Sequence, residues 1–206
     1  VHITPDRGLC GGLNANLNRN LGRFVLERQV GVSVVSVGRK GRDFATRSKF
    51  DTKASFIDIG DVPSLPDTLA ISGLVIEDYE NSIVDEVYIS YGQFISTTIQ
   101  RPTIVKILPV ESGDSENGVT GDYIYEPNAS EVLGSLLPRF VQMQIFHAIL
   151  ESIGSEQSAR MVAMSSATDS ANEMIQDLTL LMNKVRQASI TTELLDIVGG
   201  VAALEG

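Results

Sequence analysis

The first half of the chain alternates short apolar runs with stretches of helical periodicity. Leu13, Leu17 and Leu21 recur at four-residue spacing, which predicts an amphipathic helix over residues 13–28. A β-branched run at residues 30–37 predicts a buried strand. The other elements that we predict here are a strand remnant at 1–4, a break at 38–41, a short helix at 43–49, a weak strand at 54–59, a helix at 63–81 capped by Ser64 with Asp67, and a strand at 86–91. Strands that alternate with helices predict a parallel sheet with helices on both faces.

The pattern changes after residue 91. Two apolar runs, at 93–100 and 103–110, are separated only by Arg101 and Pro102, which predicts an antiparallel hairpin. Polar residues at 111–121 predict a solvent loop, and residues 123–126 predict a short closing strand. We therefore expect an α/β domain over residues 1–127, with a mostly parallel, Rossmann-like sheet and an antiparallel hairpin at its edge.

One helical pattern fills the rest of the chain, residues 128–206. Asn128 or Ser130 can cap it, and only Pro138 and Gly154 oppose helix before about residue 198. A helix of roughly 60 to 70 residues would be about 90 to 105 Å long. A compact domain of this size measures roughly 30 to 35 Å across, so we expect most of the helix to project from it.

Apolar residues follow this helix at a spacing near 3.5 residues, which favours a left-handed coiled coil. The predicted seam comprises Leu136, Phe140, Met143, His147, Leu150, Gly154, Gln157, Met161, Met164, Thr168, Ala171, Ile175, Leu178, Met182 and Val185. His147 is predicted to be a packed interior histidine. The partner of the seam is either a second copy of the chain or a helix that precedes Val1. The opening without Met, on what reads as a truncated first strand, favours the second.

The end of the helix combines a polar belt with an apolar tip. The belt comprises Lys184, Arg186, Gln187, Thr191, Thr192, Glu193 and Asp196, and the tip comprises Leu194, Leu195, Ile197, Val198, Gly199, Gly200, Val201, Ala202, Ala203 and Leu204. Chain termini are ordinarily polar and frayed. A tip that is apolar on all sides therefore predicts insertion into an apolar socket of another protein.

Composition removes several classes of function. The net charge of −10 and pI near 4.6 argue against a nucleic-acid-binding face. A single cysteine, Cys10, and two distant histidines, His2 and His147, cannot build a disulfide or a zinc cluster. No apolar run is long enough to span a bilayer, and no signal peptide is visible, so we expect an intracellular chain.

The strongest candidate for chemistry is the glycine-rich turn at residues 8–12, which follows a strand and opens a helix. A dinucleotide fold would bind pyrophosphate there, but the spacing is not GxGxxG, and no GxxxxGK[ST] motif is present. A tight packing turn, with Cys10 as a small packing residue, is the favoured interpretation. A small nucleotide-binding enzyme and a homodimeric coiled-coil scaffold remain as alternatives, and no cofactor or metal is expected.

Three segments together resemble the γ subunits of F-type ATP synthases. They are TPDRGLCGGLN at 4–14, SEQSARMVAMSSATD at 155–169 and NKVRQASITTELLDIVGG at 183–200. They occur in the order of the family, and the similarity extends over essentially the whole chain. Asp196 stands where Glu is usual, the long N-terminal helix of the family is absent, and the cysteine-containing insertion of chloroplast members is missing, which favours a bacterial type.

The resemblance implies a central-stalk rotor that carries no catalytic residue of its own. Its implied partners are the α and β subunits, the ε subunit and the membrane c-ring, at the cytoplasmic face of a bacterial membrane. Its α/β domain would lie at the foot of the stalk, and its C-terminal helix would pair with the family's N-terminal helix inside the α3β3 hexamer. The residues implied to contact the hexamer or the paired helix are Arg160, Arg186, Gln187, Ile190, Thr191, Glu193, Leu194, Ile197 and Val198.

Overall fold

A computed structural model describes residues 1–28, 30–110 and 128–205. The chain forms two compact units, Val1–Ala163 and Met164–Gly206, which are taken in turn. The loop predicted at 111–121 and the closing strand predicted at 123–126 lie outside the described residues.

The first unit contains a five-stranded sheet in the order β3-β2-β1-β4-β5. In chain order the elements are β1 (His2–Ile3), α1 (Leu13–Arg28), β2 (Ser33–Val37), α2 (Arg39–Arg47), β3 (Asp51–Phe56), α3 (Leu65–Glu80), β4 (Val87–Phe94), β5 (Gln100–Leu108) and α4 (Ala129–Glu205). Strands β1 to β4 pair in parallel, and β5 pairs antiparallel with β4. The predicted mostly parallel sheet with an antiparallel edge is confirmed.

The structure confirms the predicted cap of α3 and, of the two residues predicted to cap α4, selects Asn128 over Ser130. Ser64 is the N-cap of α3, and its backbone N–H donates to the Asp67 carboxylate at 2.8 Å. Asn128 caps α4, because its side-chain oxygen accepts a hydrogen bond from the Glu131 N–H at 2.9 Å. These contacts satisfy backbone donors that have no partner inside the helix.

Helix α2 starts earlier than predicted. Residues 38–41 were assigned to a break, but the helix begins at Arg39, directly after Gly38. Gly38 adopts a positive φ of 94°, and a Cβ there would lie 1.9 Å from the Thr4 carbonyl oxygen. The second glycine, Gly41, also serves a close approach, since a Cβ would lie 2.8 Å from Thr4 Oγ1. Both glycines thus allow close packing against Thr4, directly after β1, rather than marking a break in the helix.

The predicted hairpin was wrong in its strand bounds. Strand β4 continues through the predicted gap to Phe94, and residues 95–99 form the turn. Arg101 and Pro102, predicted to be the turn, lie inside β5. Proline is tolerated there because Pro102 lies opposite Gly92, at a position where no ladder hydrogen bond is donated by its nitrogen.

The main core lies on the sheet face that α3 and the first part of α4 cover. Ile71 and Val75 of α3 and Val141, Ile145 and Ile149 of α4 are buried there. On the opposite face, α1 packs on the sheet through Leu13, Leu17 and Leu21. Helices therefore cover both faces, as the alternation of elements predicted.

The face of α4 that meets the sheet is not the predicted seam. Seam residues Leu136, Phe140, Met143 and Leu150 are 39–51% exposed. His147, predicted to be interior, is also exposed. The buried stripe and the seam have similar helical spacing but lie on different faces of α4. The seam was predicted to pair with a partner helix, and that pairing stays a prediction.

The second unit consists of the later part of α4. Its side chains are exposed at every position from 164 to 201 except Asn183, which is partly buried. No helix of the described ranges is apolar and long enough to cross a bilayer.

Candidate partner-binding surface on helix α4

The predicted partner-contact residues lie on α4, and they fall into two groups. Arg160 belongs to the first unit, and the residues from Arg186 to Val198 belong to the second. Within the second group, Arg186, Ile190 and Leu194 follow one another at four-residue spacing and share a helix face. The predicted set therefore contains one continuous surface near the end of α4 together with the separate Arg160.

The surface near the end of α4 is strongly apolar for an exposed helix. Ile190, Leu194, Leu195, Ile197, Val198 and Val201 are 50–66% exposed. Thr191 does not offer a free donor, because its hydroxyl donates to the Gln187 carbonyl at 2.9 Å within the helix. A run of exposed large apolar side chains is suited to binding an apolar protein surface.

Arg160 is held on the helix by acceptors one turn earlier. Its guanidinium donates to the Glu156 carboxylate and, through Nη1, to Gln157 Oε1 at 3.1 Å. The Glu156 side chain is only 11% exposed and that of Arg160 22%. Sequence reasoning selected Arg160 but missed Glu156, although their four-residue spacing was a signal for an ion pair.

The turn at residues 8–12 is packed against α4. Cys10 is buried with Leu13, Leu17 and Ala159, and burial raises the pKa of its thiol. Asn14 Nδ2 holds the turn through the Arg7 carbonyl at 3.3 Å and Cys10 Sγ at 3.1 Å. The interpretation of Cys10 as a packing residue is confirmed.

A carboxylate of the chain itself, that of Asp6, lies at the carboxyl edge of the sheet. The Asp6 carboxylate accepts hydrogen bonds from the backbone N–H groups of Arg39 at 2.8 Å and Asp58 at 3.1 Å. Arg39 in turn pairs with the Asp58 carboxylate at 2.9 Å. The first turn of α2 is thus already occupied by a carboxylate of the chain.

No cluster of histidine, cysteine and carboxylate side chains suited to a metal ion occurs in residues 1–28, 30–110 and 128–205. The geometry of the described residues is that of a packed scaffold with an exposed apolar helix.

Comparison with known proteins identifies the family. A family model described as ATP synthase matches residues 1–204. An ATP synthase gamma chain from Dehalococcoides mccartyi strain BAV1 is 57% identical over 204 residues, which are 99% of this chain and 72% of that protein. The chain belongs to the ATP synthase γ-chain family. A γ chain from Chloroflexus aurantiacus is 50% identical over 205 residues, 98% of this chain and 71% of that protein.

Solved structures resemble this γ-family chain as well. The central stalk and c-ring structure of the Tetrahymena thermophila mitochondrial ATP synthase contains a chain that matches with a TM-score of 0.66 and 26% identity, over 81% of this chain and 74% of the other. A chain of the Euglena gracilis mitochondrial ATP synthase matches with a TM-score of 0.71 over 98% of this chain and 71% of the other. At 22% identity, that second match supports the fold.

Proposed function

We propose that this γ-family chain is the central-stalk rotor subunit of the F1 sector of a proton-transporting ATP synthase. In this function it couples rotation driven by ion flow to ATP synthesis or hydrolysis on the β subunits and carries out no catalysis itself. The observation that supports the proposal most is the helical second unit, whose apolar side chains are exposed throughout residues 164–201. Such a surface needs protein partners in the assembled state.

The proposal assigns partners to the two parts of the chain. Residues 128–206 would form the stalk helix inside the α3β3 hexamer, in a coiled coil with another helix, and Arg160 and the residues from Arg186 to Val198 would make its contacts. Residues 1–127 would contact the ε subunit and the c-ring. The location would be peripheral, at the cytoplasmic face of a bacterial inner membrane.

The coupling between rotor angle and nucleotide affinity follows from the asymmetry of the rotor. A single α4 helix within a ring of several β subunits offers each subunit a different set of contacts at any moment. A difference in contact free energy between rotor angles then becomes a difference in nucleotide affinity between sites. The charged and apolar residues of α4 near 186–198 supply such angle-dependent contacts.

Assembly tests the proposal. In the F1 complex of the source organism, Leu194→Asp with Val198→Asp places two charges on the apolar surface, and we expect co-purification with α and β, or ATP hydrolysis by the complex, to fall by about tenfold or more. The matched control is Val62→Asp, at a residue of the first unit that is 93% exposed. The proposal is contradicted if the double variant assembles and hydrolyses ATP as the control does.

A further inference from the structure

Strand β4 extends beyond its neighbour β1. The register pairs β1 with β4 at His2 and Ser90, whereas β4 continues to Phe94. Among the described residues, no strand of the sheet pairs with that side of β4 after this point. The last residues of β4 therefore have main-chain groups on that side which need partners from elsewhere.

The pairing with β5 shows which groups these are. At the end of the hairpin the Ile95 N–H donates to the Ile99 carbonyl at 3.2 Å. Hydrogen-bonded and non-hydrogen-bonded pairs alternate along an antiparallel ladder. The Phe94 N–H and the Gly92 carbonyl consequently point away from β5, toward the side that β1 has left open.

Helix α4 supplies the missing partners with polar side chains. Glu151 Oε1 accepts from the Phe94 N–H at 3.1 Å, and Ser155 Oγ donates to the Gly92 carbonyl at 2.8 Å. Ser158 Oγ donates to the carbonyl of Thr97, in the hairpin turn, at 2.8 Å. We call Glu151, Ser155 and Ser158 the hairpin clamp.

The clamp has the geometry to fix the register of α4. Its members are spaced by four and then three residues, so they lie on one helix face, and they bind main-chain groups that cannot change rotamer. The approach is close, since a Cβ on Gly92 would lie 3.6 Å from the Ser155 Cβ. Apolar packing, as at Val141, Ile145 and Ile149, is non-directional and resists rolling or sliding less than oriented hydrogen bonds do.

We propose that Glu151, Ser155 and Ser158 are positioning residues that transmit torque, because they fix the axial and rotational register of α4 on the sheet. They lie in the last turns of α4 before Ala163, where the first unit ends. Load on the helix therefore reaches the sheet through the β4–β5 hairpin. This inference rests on the proposed rotor function.

The test measures torsional stiffness in the F1 complex of the source organism. The α3β3 ring is immobilised, a bead is attached at Val62→Cys, and the angular variance of the bead is recorded in a catalytic pause. With Glu151→Ala, Ser155→Ala and Ser158→Ala combined, we expect the variance to rise by about twofold, since the directional contacts are lost while the apolar packing remains. ATP hydrolysis without load should remain at the level of the unsubstituted complex.

The matched control is Ser135→Ala, because Ser135 donates to the Val132 carbonyl of its own helix at 2.8 Å and to no part of the sheet. If the combined variant fails to assemble, Ser158→Ala is compared with Ser158→Thr. The threonine variant keeps the hydroxyl, so its angular variance should equal that of the unsubstituted complex. A clamp variant with the variance of the Ser135→Ala control overturns the inference alone. Absence of rotation in the unsubstituted complex would instead overturn the proposed function.

Discussion

At the scale of single residues, the buried side chain of His2 should make the stability of the first unit depend on pH. His2 is fully buried between two strands and α1, with Nε2 3.0 Å from Asn18 Oδ1 and Nδ1 3.1 Å from Ser90 Oγ. These contacts suit a neutral ring in which Nε2 donates to Asn18 and Nδ1 accepts from Ser90. Burial lowers the pKa of His2 from 6.5 to about 4.

The shift of His2 predicts a loss of stability in acid. The unfolded chain takes up the proton near pH 6.5 and the folded chain only near pH 4, so the unfolded state binds more protons in this window. The free energy of unfolding should therefore fall by about 3 kcal/mol from this residue as the pH drops through the window, with no effect above it. Urea unfolding of the wild type and of His2→Gln at several pH values measures the difference. Parallel pH profiles would contradict the assignment.

Gly38 predicts a large effect of a single methyl group. Its φ is 94°, and a Cβ added to it would lie only 1.9 Å from the Thr4 carbonyl oxygen, which leaves no room for a side chain. Gly38→Ala should lower the free energy of unfolding by about 3 kcal/mol or more. Gly154→Ala is the matched control, since nothing lies within 4 Å of a Cβ there in mid-helix, and it should raise stability by about 0.5–1 kcal/mol. Equal effects of the two substitutions in urea unfolding would refute this account.

At the scale of elements, the sequence predicted which helices and strands exist, and their order, better than the residues at which each begins and ends. Helix α1 has the predicted bounds because Leu13, Leu17 and Leu21 form an unambiguous stripe. The hairpin was misplaced because Pro102 was taken as a turn signal, whereas edge position and pairing allow it in β5. The hairpin clamp was not predicted at all, because the partners of Ser155 and Ser158 are main-chain groups distant in the sequence.

Substitutions on the two faces of α4 should lower stability by very different amounts. Ile145 is fully buried against the sheet, whereas Leu136 on the predicted seam is 51% exposed. In this chain alone, Ile145→Ala should cost about 3 kcal/mol of unfolding free energy, while Leu136→Ala should cost less than about 0.5 kcal/mol. Thermal or urea unfolding distinguishes them, and a larger cost for Leu136→Ala would show that the seam, rather than the observed stripe, packs on the sheet.

At the scale of the whole molecule, the chain separates a packed scaffold from an exposed helix. The scaffold satisfies its own polar groups at the carboxyl edge through Asp6, where related folds bind nucleotides. The helix leaves its apolar side chains at 190–201 without cover in the described residues. This division of properties and the family membership both agree with the proposed rotor function.

Rotation is the most direct test of the rotor proposal. The F1 complex of the source organism would be fixed through its β subunits, with a probe attached at position 62 of this chain and ATP supplied. We predict continuous, one-directional turning of the probe that stops when ATP is withdrawn. A probe that only fluctuates about a fixed angle while the complex hydrolyses ATP at its full rate would contradict the rotor function.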